Sequence, residues 1–181
     1  MRKALDRLYD LSGALAAAFL VAIFVIVLLQ VGANLLDFGI SAATGTPKGL
    51  VVPSYAEIAG FFLAAASFLA LAHTFRAGAH IRVSLVLQVM PKGARKAADL
   101  LSCSLGAAMS GYFAYYTWNL VAESIEFGDL SPGIVPIPLW IPQTAMAIGI
   151  SIFTVSMIDT TLRVLANGHD PACDTQGPGG E

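Results

Sequence analysis

The sequence predicts an all-α membrane protein: four transmembrane helices, with a short amphipathic interfacial helix between the second and the third. Three observations predict it. Of 181 residues, 56% are hydrophobic and only 12% charged, about half the charged share of an ordinary soluble domain, and the mean hydropathy is +0.72. Four uncharged runs, residues 11–36, 58–75, 100–122 and 130–158, have lengths that cross roughly 30 Å of hydrocarbon at about 1.5 Å per residue. The basic residues fall almost wholly on one side of those segments. A soluble four-helix bundle would need a charged stripe along each helix, and none of the four has one.

The first span covers residues 11–36. Arg2 and Lys3 precede it as they would a secretory signal, but a signal core runs only about 7 to 15 apolar residues, so this segment reads as a retained span. Within it Gln30 and Asn34 stand four residues apart, on one helical face. Such amides most often bond helices together rather than bind ions.

The second span covers residues 55–75, with Glu57 at its outer start, where the helix dipole favours a carboxylate. The third covers residues 97–122, in which Ser102, Ser104, Ser110, Gly106 and Gly111 are small enough to let helices approach closely. The fourth covers residues 139–162. Its uncharged run begins earlier, but Pro132, Pro136, Pro138 and Pro142 place the helix start near Leu139. Tyr112, Tyr115, Tyr116 and Trp118 count toward the outer end of the third span, at the depth where Trp140 opens the fourth, and so read as an interfacial aromatic belt. Residues 1–166 then form one membrane domain. Residues 167–181, "NGHDPACDTQGPGGE", read as a disordered cytoplasmic tail.

The connector "AGAHIRVSLVLQVMPKGARK", residues 77–96, is both basic and apolar. Polar and apolar residues alternate from His80 through Arg82 to Ser84, as in an extended strand. From Ser84 a helical reading fits better, with Ser84, Gln88 and Lys92 as the polar stripe. Ser84 suits the N-cap and Pro91 ends the turn. The result is an element lying in the interface, with Lys92, Arg95 and Lys96 against anionic headgroups. His80 and Arg82 would fix the turn out of the second span, touching either lipid or another protein chain.

Nine of the ten Lys and Arg residues lie before the first span, between the second and third, or after the fourth; Lys48 is the exception. That bias places both termini and the connector in the cytoplasm. Glu123, Glu126 and Asp129 read as an acidic loop on the opposite side. Cys103 and Cys173 are too far apart in kind of environment to form a disulfide framework.

Chemistry-bearing patterns are scarce. No carboxylate sits at the centre of a span, which argues against a proton-coupled exporter. His73 and His80 fall at or beyond the end of the second span rather than at facing depths, so no axial haem pair is apparent. No phosphate-cradling loop, metal-spaced His and Cys cluster or nucleophile with a base in reach is present. The reading is therefore a non-enzyme with no cofactor, no metal site and no nucleic-acid partner.

"GAHIRVSL" at residues 78–85, after a span opening "SYAEIAGFFL" at 54–63, resembles the small membrane subunit of tripartite ATP-independent periplasmic (TRAP) transporters. "IPLW" at 137–140, after "GDLSPGIVP" at 128–136, is similar to the start of that family's fourth span. The resemblance runs from Leu11 to about Leu165. It departs at Ser84, where the family often carries an acidic residue. It implies a non-catalytic subunit in the bacterial inner membrane that supports a large multi-span transport subunit. A periplasmic substrate-binding protein would deliver an organic acid or similar solute for sodium-coupled import. Glu57, His80, Arg82, Ser84, Gln30, Asn34 and Trp140 are the residues expected at the partner subunit or the membrane interface. The alternative is a self-sufficient, homo-oligomeric small transporter or channel, with Gln30, Asn34 and Asn119 along its pathway.

Overall fold

A computed structural model describes residues 2–46, 48–77 and 91–167. These form four helices: α1 (Arg2–Thr44), α2 (Tyr55–Arg76), α3 (Lys92–Phe127) and α4 (Trp140–Asn167). The expected interfacial helix, with His80, Arg82 and Ser84, lies outside the described residues, as does the tail from Gly168.

The helix ends follow from local chemistry. Gly45, with φ of 74°, closes α1, and its N–H donates to Ser41 O at 2.8 Å. Gly128 closes α3 in the left-handed region at φ 65° and ψ 37°, a backbone shape glycine adopts without a Cβ clash. Asp129 N then donates to Ser124 O at 3.1 Å. The proline-rich segment between α3 and α4 does not continue the helix. It folds back on itself, with Leu139 N donating to Asp129 O at 3.0 Å and Ser131 N to Ile137 O at 2.9 Å.

The four helices form a single layer in the order α1, α2, α4, α3: each of the central pair meets two neighbours, while α1 and α3 are the edges. Neighbours α1 and α2 run antiparallel, as do α3 and α4. The core lies along α2 and α4 and is made of small residues. Ala65, Ala66 and Ala72 on α2, and Ala147, Ser156 and Thr160 on α4, are buried. At Gly149 the two helices pack backbone to backbone, since a Cβ there would lie 2.5 Å from the carbonyl carbon of Phe68. Between α1 and α2, Tyr9, Ser12 and Ala16 are buried, and Ser12 Oγ donates to Leu69 O. Small residues and hydroxyl-to-carbonyl bonds are the means by which helices associate where water supplies no hydrophobic drive.

Much of the outside is apolar. Leu20, Val21, Phe24, Leu28 and Leu35 of α1 are all more than half exposed. Three helices among the described residues are long and apolar enough to cross a membrane: Leu5–Thr44, Tyr55–Arg76 and Trp140–Ala166. The third expected span sits on α3, whose 36 residues exceed the required length but whose serines, glycines and tyrosines dilute its apolarity. Absence of charge alone therefore overstated how lipophilic that segment is.

Two further expectations are corrected. Glu123 and Glu126 belong to the last turns of α3 rather than to a loop. The aromatic residues of α3 are not level with Trp140. Trp118 Nε1 donates to Ser151 Oγ at 3.1 Å, and Ser151 stands eleven positions along α4 from Trp140, about 16 Å at about 1.5 Å per residue. Since α3 continues past residue 122 to Phe127, counting from the end of the uncharged run put these rings too near the surface.

Candidate functional site

The layer carries its charged groups at its two ends. At one end the start of α1 meets the ends of α2 and α4. Arg76, the last residue of α2, is the link: its Nη2 donates to Asp6 Oδ1 at 2.9 Å and its Nη1 to Asp159 Oδ2 at 3.3 Å. Arg163 Nη2, one turn beyond Asp159, reaches the same carboxylate oxygen at 2.6 Å. The Arg76 guanidinium also sits 5.2 Å from the Tyr9 ring centroid, a cation–π distance. On the outer flank His73 Nδ1 lies 3.6 Å from Asp10 Oδ1. Its imidazole covers Gly13, where a Cβ would lie 2.7 Å from His73 Cγ.

Asp159 is thus held by two guanidinium groups, and Arg76 by carboxylates of two other helices. Each charge is matched in a partly buried setting, where an unmatched one would be costly. Asp6 and Asp159 are both engaged by arginines. The chemistry of the cluster is that of a clamp on α1, α2 and α4. Helical spacing could have revealed one part of it, the Asp159 and Arg163 pair at i, i+4. The joining of Arg76 to Asp6 spans 70 residues and left no local trace in the sequence.

At the other end loops knit the helices together. Gln30 is 5% exposed; its Nε2 donates to Asn34 Oδ1 at 2.9 Å, and its Oε1 accepts from Val52 N at 2.8 Å. Gln30 and Asn34 do share a face, and the Gln30 carboxamide, bonded to Asn34, secures the loop after α1 rather than a second helix. Asp37 Oδ1 accepts from Lys48 N at 2.9 Å in the same loop. Ser54, just ahead of α2, has a left-handed backbone at φ 54° and ψ 21°. Its hydroxyl does not cap α2 but accepts from Val135 N at 3.0 Å, in the loop between α3 and α4.

Glu57 lies in the first turn of α2, directly beneath that loop. A Cβ at Gly133 would come 1.7 Å from Glu57 Oε2, so a side chain there would displace the Glu57 carboxylate. Glu57 Oε2 and Gln143 Oε1 are both buried without a hydrogen-bond donor among the described residues. Trp140 opens α4 at 42% exposure, its carbonyl accepting from Thr144 Oγ1 at 2.6 Å. Of the residues expected at a partner or interface, the structure gathers Gln30, Asn34, Glu57 and Trp140 at this one end. His80, Arg82 and Ser84 lie outside the described residues. Among the described residues no cluster of three or more His, Cys, Asp or Glu is placed to hold a metal ion.

A family model described as "Tripartite ATP-independent periplasmic transporters, DctQ component" matches residues 51–167, from the loop before α2 to the end of α4 and more than half of the chain. The match begins later than the resemblance in the sequence, which started at Leu11. No curated protein matches the chain.

Proposed function

The chain belongs to the DctQ component family of tripartite ATP-independent periplasmic transporters, and from that membership we propose that it is the non-catalytic small membrane subunit of a sodium-coupled importer of an organic acid or similar small solute. The large multi-span subunit would carry solute and sodium, and a periplasmic binding protein would deliver the solute. The small subunit would steady the large one.

The family match is the observation that carries this reading, and the distribution of polar groups supports it. Charges stand at the ends of the layer, engaged in the clamp of Asp6, Arg76, Asp159 and Arg163. Gln30, which a self-contained channel would need along its pathway, has its amide committed to Asn34 and to the loop. In this reading all four helices cross the inner membrane. Helix α3 crosses because it lies along α4: Gly111 is against Thr154, Gly106 against Met157 and Trp118 against Ser151. Arg76 and Arg163 then mark the cytoplasmic end and Lys48 the periplasmic end. Glu57, Gln30, Asn34 and Trp140 face the periplasmic side, while His80, Arg82 and Ser84 meet lipid headgroups or the large subunit from the cytoplasm.

Proteoliposomes test the proposal. Solute uptake driven by a sodium gradient should require both membrane subunits together with the binding protein. Vesicles holding this chain alone should show none; uptake by the chain alone would reject the assignment.

A further inference from the structure

Helix α3 has two opposite faces. Asp99, Cys103, Ser110, Ala114, Thr117, Val121 and Ser124 are buried on it, at spacings that make one stripe against α4. Tyr112, Tyr115, Tyr116 and Asn119 follow the i, i+3, i+4, i+7 pattern on the other side. They form the outermost surface of the layer. Tyr112, Tyr115 and Tyr116 are 66%, 64% and 52% exposed. The three rings touch, with centroids 4.6 Å apart for Tyr112 and Tyr116 and 5.4 Å for Tyr115 and Tyr116.

Depth makes this face unusual. Gly111 packs on Thr154 and Trp118 bonds to Ser151, so the tyrosines lie between those two levels. Thr154 and Ser151 are five and eight positions from Asp159 in the charged clamp, or about 8 and 12 Å inside it at about 1.5 Å per residue. Asn119, one position beyond Trp118, therefore lies near mid-bilayer. Its side chain is too short to reach either surface. It is exposed and makes no hydrogen bond to another described residue. A bare carboxamide in hydrocarbon is costly, and an edge that met only lipid would gain nothing from one.

Helix α1, the opposite edge, shows what a lipid-facing surface in this protein looks like. Through its middle its exposed residues are Leu20, Val21, Phe24, Val25, Val27, Leu28 and Leu29. Beside the α3 face, moreover, runs an apolar groove of about 590 Å³ between α3 and α4, with Gly106, Met109, Phe113 and Phe153 in its walls. It is open to the side chains of a further helix.

We propose that the α3 face centred on Asn119 and Tyr115 seats a transmembrane helix of the transporter's large membrane component, whose backbone carbonyl or hydroxyl at mid-bilayer bonds the Asn119 amide, and that α1 faces lipid. This rests on the reading of the chain as a small subunit and adds which edge the partner takes.

The test uses the full chain co-expressed with the large membrane component, with the photo-reactive residue p-benzoylphenylalanine placed either at Tyr115 or at Leu28. Mass spectrometry identifies the products. Tyr115 should cross-link to the large component and Leu28 to lipid. Asn119→Leu should lower the co-purified fraction about three- to tenfold, within the range of single interhelical hydrogen bonds in membranes. Asn119→Gln should restore most of it, with the helix content of every variant unchanged. A complex that co-purifies but cross-links through Leu28, or through neither site, overturns the inference and leaves the small-subunit reading intact. A Tyr115 cross-link to a second copy of this chain also overturns it. If the chain never co-purifies with the large component, the small-subunit reading falls and the inference falls with it.

Discussion

The two edges of the layer, α1 and α3, occupy similar places: each packs mainly on one neighbour and turns the opposite side outward, α1 also meeting α4 at the charged end. Their residues differ. Helix α1 is nearly uniform in Leu, Val, Ile, Ala and Phe from residue 14 to 29, whereas α3 over its middle alternates small residues on the inside with tyrosines, Trp118 and Asn119 on the outside. Helix α1 passes the criterion of apolarity for crossing a membrane and α3 does not. The contrast teaches that apolarity along a helix measures how well it tolerates lipid all round. It does not decide whether the helix can sit in a membrane. Helix α3 lies along α4 with Ser110, Thr117 and Ser124 in the seam, where their hydroxyls bond carbonyls or side chains at 2.8 to 3.2 Å.

Substitutions in the seams break this comparison to different extents. The largest effect should come from Gly149→Leu, which affects both edges at once. A Cβ already meets the Phe68 backbone, and backbone cannot swing aside as a side chain can. Overpacking of this kind costs about 1 to 3 kcal/mol or more. The α2 and α4 contact should separate, seen as a sharp drop in the thermal midpoint of the detergent-solubilised protein. Gly149→Ala should give a smaller drop in the same direction.

Next comes Arg76→Ala, which should affect the α1 edge alone. Among the described residues Asp6 loses its ion-pair partner on another helix and Asp159 keeps Arg163, so the loss should be about 1.5 to 3 kcal/mol, the range for hydrogen bonds to charged groups. Spin-label distances should show the start of α1 moving away from α2 while α3 stays on α4. Trp118→Phe should do the reverse on a smaller scale. It removes the indole N–H from Ser151 and should cost about 0.6 kcal/mol, with looser α3 and an unchanged clamp.

The smallest effect belongs to Leu28→Ala. Leu28 is 57% exposed on α1, and exchange of one lipid-facing apolar residue for another should shift the thermal midpoint by no more than the scatter of the measurement. A marked loss would mean that α1, not α3, has a hidden partner.

The all-helical class and the start of α4 were legible in the sequence because they depend on neighbours along the chain: the prolines from Pro132 to Pro138 hold α4 off until Trp140. The ends of α1 and α3 were not, since the helices run on past Leu36 and Ala122, where the uncharged runs stop, to Gly45 and Gly128. Glu57 was legible as a first-turn carboxylate, but not the closeness of Gly133 above it. Contacts between distant segments left no such trace. The order α1, α2, α4, α3, the union of Arg76 with Asp6 and Asp159, and the depth of Trp118 all depend on how helices sit side by side. A helix read alone gives the spacing of its residues but no origin from which to measure depth, and the error over the aromatic belt came from choosing Ala122 as that origin.

The central claim, that this chain works as one component of a larger membrane assembly, is tested most directly by size-exclusion chromatography of the tagged chain co-expressed with the transporter's large membrane component and extracted in mild detergent. The account predicts one peak that contains both proteins in constant ratio across its width. Elution of this chain by itself, folded and stable, with the large component in a separate peak, would contradict it.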